Sequence, residues 1–289
     1  MEPTVRRRRL GSELRRLREA KGLTLEDVEA EAPVLKESKV SRVETARIGV
    51  KPADLDALLD LYGVGTDEED EEGAAKRALL HSLAKTGARR GWWQTYRDVI
   101  SPTYADLISL EDSATSLRSY QTVLIPGLLQ TAAYARATMT ALQMTSTVEH
   151  VDGLVQVRRA RQAVLTRPSP PELWAIIHEA ALRPRIKDAP SVMRDQLQHL
   201  MDQAELPHVS LQVLPLDAPP HPGLSGPYTI IGFPENDLDV VLVEHLTSAL
   251  YVEDTAEVSR YGSAFERLRA AALPFDASAD LIAKLKDSL

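Results

Sequence analysis

The stretch that most constrains this chain runs from Thr24 to Glu44, TLEDVEAEAPVLKESKVSRVE. Thr24 is a natural N-cap, and Asp27 three residues on completes a capping-box-like start. Leu25 and Val28 continue an apolar face until Pro33. Proline lacks the N–H that a continuing helix needs and restricts the residue before it. A second helix is then expected over about Glu37–Thr45, with Val40 and Val43 turned inward and Lys39, Ser41 and Arg42 partly outward. Two short helices joined by a tight connection form a helix-turn-helix arrangement, which makes double-stranded DNA the first partner to consider.

The flanks complete a compact all-α domain. Leu10, Leu14 and Leu17 recur at i, i+4 and i+7 and predict a helix over Leu10–Lys21, closed by Gly22 at the C′ position. Pro52 suits the first position of a further helix whose face is Leu55, Leu58, Leu59 and Tyr62, and Gly63 ends it. Ahead of these, Arg6–Arg9 read either as an arm along phosphates or in a minor groove, or as a solvated tail. From Met1 to Lys51 there are 13 Lys+Arg against 9 Asp+Glu, a local +4 in a chain of net charge −8, which leaves −12 to the remainder. A basic end on an acidic body is the footprint of a DNA reader with an attached non-DNA domain.

Leu10–Gly11, Leu14–Arg15, Leu17–Arg18, Gly22–Leu23–Thr24 and Ser38–Lys39–Val40–Ser41–Arg42–Val43–Glu44 together resemble the Xre/Cro/C1-type helix-turn-helix family, over nearly all of residues 10–63. The resemblance implies that the helix beginning near Lys36 is the recognition helix and enters the major groove by its N-terminal residues. Carried over by position, Glu37, Ser38, Lys39, Ser41 and Arg42 are the implied contacts. Arg8, Arg9, Thr24, Lys36 and Arg47 complete the candidate DNA-binding set. The resemblance also implies a partly buried ion pair between Arg18 and Glu44 that orients the reading helix, and a homodimer that reads paired half-sites. The chain departs from the pattern in places. Lys36 stands where a capping Ser or Thr is usual. Glu29 stands where a small alanine lets the two helices approach, and the Glu31–Lys36 connection has one residue more than the pattern, so Ala30 is expected in the alanine's role. Ala46 replaces the common glycine after the recognition helix.

Asp67–Glu72 is a run of acids that repel one another, expected as a solvated linker or a helix start. The expected domains are therefore 1–64 for DNA binding, 65–89 as acidic linker and connecting helix, and 90–289 for partner or effector binding. In the last of these, helices are expected over Tyr104–Ser116, Leu128–Met139, His150–Thr166 (bearing Arg158, Arg159 and Arg161), Ser191–Glu205, Asp254–Leu273 and Ser278–Leu285. Extended segments are expected over Leu117–Ile125, Leu173–Ile177, Val209–Leu214, Tyr228–Phe233 and Val240–Glu244. The fold class is thus mainly α with a smaller β component, an all-α domain followed by a larger α+β one. Adjacent Trp92 and Trp93 cannot share one narrow helix stripe, so one is expected in the core and the other at a contact.

Gly91–Trp92–Trp93, Pro126–Gly127–Leu128–Leu129–Gln130–Thr131, Arg161–Gln162, Glu179–Ala180–Ala181–Leu182–Arg183 and Gln212–Val213–Leu214–Pro215 occur in an order that resembles the actinobacterial DUF5753 (WhiJ-like) domain, over roughly residues 90–285. This resemblance implies a regulator acting with a small DUF397-type partner protein. It carries over no catalytic residue.

Other chemistry is excluded or weakly supported. The absence of cysteine removes disulfides, thiolate nucleophiles and Cys-based metal sites, and fits a reducing cytoplasm. No apolar run follows the N-terminal arginines, and no stretch approaches a membrane span, so a cytoplasmic protein without a membrane partner is expected. His178–Glu179 opens a zinc-protease pattern, but that chemistry needs a second histidine where Leu182 stands. No nucleophile elbow or phosphate-cradling loop occurs, so neither an enzyme nor a cofactor is expected. Glu111, Glu179 and Glu244 follow apolar runs, with Arg118 and Arg183 as natural ion partners. Trp92, Trp93, Arg118, Tyr120, Glu179, Arg183 and His221, the last in the Pro/Gly-rich loop Pro219–Pro227, are the candidate partner or effector contacts. The expected function is a sequence-specific transcriptional regulator whose C-terminal domain binds a small partner protein or a small-molecule effector. The alternative is an antitoxin-like module that sequesters a DUF397-type partner, with autoregulatory DNA binding.

Overall fold

A computed structural model describes residues 4–67, 70–84, 91–142, 147–184, 186, 189–234, 238–246 and 248–289. Part of the acidic run, residues 68–69, lies outside the described residues. The chain divides into two units, Met1–Trp92 and Trp93–Leu289, and each is taken by itself.

The first unit is helical: α1 (Val5–Ala20), α2 (Leu25–Glu31), α3 (Glu37–Glu44), α4 (Pro52–Tyr62) and α5 (Glu71–Ala84). Leu14, Val28, Leu35, Val40, Leu55 and Leu58 fill its core. α1 starts earlier than the leucine spacing alone predicts. The Thr4 hydroxyl accepts from the Arg7 amide at 3.3 Å, and arginine is a good helix former, so Arg6–Arg9 become its first turns. This corrects the reading of those arginines as an arm: Arg6 and Arg9 are buried.

The expected connecting helix is not a free link. α5 buries Leu80 and Leu83. Its Lys76 reaches Glu13 of α1 at 2.9 Å, and its Arg77 reaches Asp56 and Asp60 of α4 at 2.8 and 2.6 Å. The acidic run begins this helix, with the Asp70 carboxylate accepting from the Gly73 amide at 2.8 Å.

The second unit holds a six-stranded sheet in the order β3-β2-β1-β4-β5-β6. The strands are β1 (Ser116–Gln121), β2 (Glu172–His178), β3 (Val209–Leu214), β4 (Tyr228–Gly232), β5 (Val240–Glu244) and β6 (Ala249–Val252). Around them lie α6 (Pro102–Ser113), α7 (Ala132–Leu142), α8 (Val148–Gln162), α9 (Pro190–Ala204), α10 (Thr255–Ala271) and α11 (Phe275–Asp287). α7 and α8 carry the chain from β1 to β2, and α9 carries it from β2 to β3. Long helical crossovers of this kind return the chain in parallel, as β1, β2 and β3 are. The shorter connections among β4, β5 and β6 permit the antiparallel pairing observed there. Side chains alternate across the sheet. Tyr120, Ile176, Tyr228, Ile230 and Val241 pack with Val258, Phe265 and Leu268 of α10. The other face, with Leu117, Ser119 and Leu173, meets Glu111 of α6 and Arg158 and Arg161 of α8 around a small cavity.

Candidate nucleic-acid interface and ligand cleft

α3 is held by a buried charge clamp. Arg18 Nε donates to Glu44 Oε1 at 2.8 Å and Nη2 donates to Oε2 at 3.0 Å, a bidentate pair, while Nη1 donates to the Leu23 carbonyl at 2.7 Å. The two side chains are 10% and 4% exposed, so little solvent screens them. Gly11 lets α1 approach this end of α3. A Cβ on it would lie 2.5 Å from the Glu44 carbonyl oxygen and 2.6 Å from that of Val43.

Two departures from the helix-turn-helix pattern compensate each other. Lys36 occupies the N-cap of α3 and supplies no side-chain cap. Glu29 does so from α2: its Oε2 accepts from the Glu37 amide at 2.8 Å, and its Oε1 takes the Lys36 ammonium at 2.8 Å. Those two contacts hold the Glu29 carboxyl below its ordinary range. Ala30, expected where the small residue sits, is exposed instead, and Val28 is the residue α2 buries. Glu29→Ala is therefore expected to fray the start of α3. Amide hydrogen exchange would speed up at Glu37 while α1 keeps its protection; unchanged exchange at Glu37 would refute the cap. At the other end Ala46 adopts φ +58°, the left-handed conformation in which glycine is usual.

The outward face of α3 follows helical spacing. Ser38, Arg42 and Thr45 lie at i, i+4 and i+7 and are exposed, with Ser41 half-buried beside them. Thr45 was missed in the sequence, although its place seven residues after Ser38 marks it. The turn after α3 folds back on Arg42, whose carbonyl accepts from the amides of Arg47 and Ile48 at 2.8 and 3.2 Å, and leaves Arg47 exposed. Glu37 and Lys36 are exposed at the helix start.

Three expected contacts have other duties. Lys39 Nζ lies 2.8 Å from Asp54 Oδ1 and neutralises a buried carboxylate. Thr24 closes the predicted capping box, giving its hydroxyl proton to Asp27 and accepting from the Asp27 amide. Arg9 is buried in α1, while Arg8 is half-buried there.

In the second unit the expected contact residues do not form one site. Tyr120 is 1% exposed, with the His221 ring edge-on at 6.3 Å and Gly223 close against its ring. It is therefore core, not a surface contact. Burial, and less so His178, lowers the His221 imidazole's affinity for protons. The partner of Arg118 is Asp239 at 3.2 Å, not one of the expected glutamates. Glu179 does pair with Arg183, and it also accepts from the Leu216 amide at 3.0 Å, so it anchors a loop. Trp93 packs with Ile100, Ile108 and Val157, whereas Trp92, the last residue of the first unit, is 37% exposed. Glu244 is exposed on the sheet.

Another place does concentrate polar groups. An outer cleft of about 490 Å³ runs between α6, α7, α8 and the β5–β6 end of the sheet, lined by Leu107, Met139, Leu154, Arg158, Leu242 and Tyr251 among others. An inner cavity of about 60 Å³ adjoins it, sharing Leu107, Arg158, Leu242 and Glu244. Its walls include Ser119, Gln121 and Thr229 of the sheet and the buried Arg161–Glu111 pair. Arg158 Nη1 donates to Gln130 Oε1 at 2.8 Å, and its Nε donates to the Tyr104 hydroxyl at 3.1 Å. Arg161 reaches the same hydroxyl at 3.1 Å. Burial pushes the Tyr104 phenol up, but the charges of Arg161 and Arg158 outweigh it and bring it below its ordinary range. The arginines were visible on α8 in sequence, yet only the fold shows that two of them converge on one tyrosine.

Among the described residues no group of three His, Asp or Glu is placed to hold a metal, and no helix is long and apolar enough to cross a membrane. A family model described as "Domain of unknown function (DUF5753)" matches residues 104–284, and one described as "Helix-turn-helix domain" matches residues 9–71. No curated protein and no solved structure matches the chain.

Proposed function

The chain belongs to the DUF5753 family, and from that premise we propose that it is a sequence-specific DNA-binding transcriptional regulator whose C-terminal unit receives a signal by binding. The observation that carries this reading is the presentation of α3. Its exposed face of Ser38, Arg42 and Thr45, with Arg47 beyond it, stands on a helix fixed from behind by the Arg18–Glu44 clamp. A rigid helix with small polar and guanidinium groups outward suits direct readout of base edges, and arginine pairs bidentately with guanine. Lys39 contributes through Asp54 more than through DNA, so Arg42 and Arg47 are the principal cationic contacts.

A lone short recognition helix gives limited affinity, so the protein is proposed to act as a homodimer on paired half-sites. The C-terminal unit is proposed to bind a small DUF397-type protein or a small effector rather than to catalyse a reaction. The family resemblance supports the former and the cleft beside Arg158 supports the latter.

Selection of duplexes from a randomised pool by the intact protein is expected to enrich one site with two half-sites about one helical turn, or a multiple of it, apart. No enrichment over the starting pool would sink the claim of specificity. Enrichment of a solitary half-site would sink the dimer.

A further inference from the structure

We propose that the adjoining cavities of the second unit form one binding site for an amphipathic monocarboxylate. The carboxylate would sit in the inner chamber against Arg158, and the apolar body would lie in the outer cleft. The inference deepens the effector reading by naming the site and its ligand class.

Arg158 lines both cavities, and among the described residues it makes no ion pair. Its Nε and Nη1 are committed to neutral partners, Tyr104 and Gln130, which fix the guanidinium plane and leave Nη2 for a further acceptor. Arg161, by contrast, is already neutralised by Glu111 through two hydrogen bonds. Arg158 is thus a positioned cation without a counter-charge, the arrangement that favours an incoming anion.

The sheet face supplies the rest of the polar end. Ser119 and Thr229 turn toward the helices, where an all-apolar face would be expected, and their hydroxyls lie 3.1 Å apart. Gln121 donates to Ser119 at 3.3 Å. Such groups are usually satisfied when buried, and together they offer a carboxylate both donors and acceptors. Gly127 makes room for the guanidinium, because a Cβ there would lie 2.7 Å from Arg158 Nη1.

The outer cleft sets the remainder of the ligand. Leu107, Met139, Leu154, Leu242 and Tyr251 give it one apolar side, while Ser101, His150, His245 and Ser248 line the rest. Its volume of about 490 Å³ lies in the range of small-molecule sites, roughly 300–1,000 Å³. Glu244 stands in the lining of both cavities and disfavours a second negative charge. The pattern favours a monoanion with an apolar body.

The test is calorimetric titration of the intact protein, without DNA, with decanoate, 1-decanol and decylammonium. Decanoate is expected to bind at one site, at least about tenfold more tightly than either of the others, as a charge-assisted hydrogen bond implies. Arg158→Gln is expected to weaken decanoate by about 10- to 100-fold while leaving decanol unchanged, and Arg158→Lys to restore part of the loss. No binding of decanoate at millimolar concentration would overturn the proposal. Equal binding of decanol, or wild-type affinity in Arg158→Gln, would do the same. The comparison of the three probes on the unaltered protein decides the matter even where a variant fails to fold. Because DNA is absent, a negative result leaves the reading of α3 intact, and a failure of DNA binding leaves the cleft standing.

Discussion

Glu44→Ala is expected to destabilise the N-terminal unit by up to about 3–5 kcal/mol, because it takes the bidentate counter-charge from the Arg18 guanidinium and leaves it only the exposed Glu19 carboxylate at 3.7 Å. Removing one partner of a buried pair costs far more than the pair's net contribution, since the remaining ion stays out of water. For a unit of this size that loss lowers its melting transition by more than about 10 °C. Calorimetry on the full chain would read it as a fall in one transition while the other holds. The double replacement Arg18→Met with Glu44→Leu is expected to recover much of the loss, because no unpaired charge remains. It would not recover all of it, since Arg18 also satisfies the Leu23 carbonyl. A Glu44→Ala protein that melts like the parent would remove the clamp from the account of how α3 is held.

Glu111→Ala is expected to cost the C-terminal unit a similar amount, about 3–5 kcal/mol, for the same reason. Glu111 and Arg161 are 3% and 10% exposed, and their atoms meet at 2.5 and 2.6 Å. Burial works against the Arg161 charge, but the Glu111 carboxylate overrides it and raises the guanidinium above its ordinary range. With Glu111 gone, Arg161 cannot escape the penalty by losing its proton. Glu111→Gln keeps an acceptor and is expected to lose less. Urea unfolding of the full chain would report the difference as an earlier transition for the C-terminal unit. Equal stability of parent and Glu111→Ala would show that solvent screens the pair.

Local order was legible where the chain carries its own signals. The Thr24–Asp27 capping box, the stops at Gly22 and Gly63 and the leucine stripes placed the helices of residues 10–63. Val209–Leu214 and Val240–Glu244 were found as strands to the residue, because the alternation VSLQVL and the apolar run VVLV, each bounded by turn residues, leave few alternatives. The Glu179–Arg183 pair was legible because it spans one turn of chain. Long-range partners were not. Arg118 finds Asp239 only through the antiparallel pairing of β1 with β4 and of β4 with β5, and nothing local to either residue announces it. β6 escaped because four residues at a sheet edge carry too short an alternation. Tyr120 and His221 read as surface contacts by type, yet the crossing loop that brings Gly223 against the Tyr120 ring buries the tyrosine. The cap from Glu29 was hidden for another reason: the residue looked like a defect at its own position and acts at the next helix.

Arg42 stands at the middle of the α3 face proposed to read DNA. The direct measurement is fluorescence anisotropy of the selected duplex with the intact protein and with Arg42→Ala, at about 50 and 200 mM salt. Arg42→Ala is expected to weaken binding to that duplex by about 5- to 100-fold with its unfolding curve unchanged, and wild-type affinity is expected to fall as salt rises. Equal affinity of the two proteins for the selected duplex, at both salt concentrations, would contradict it.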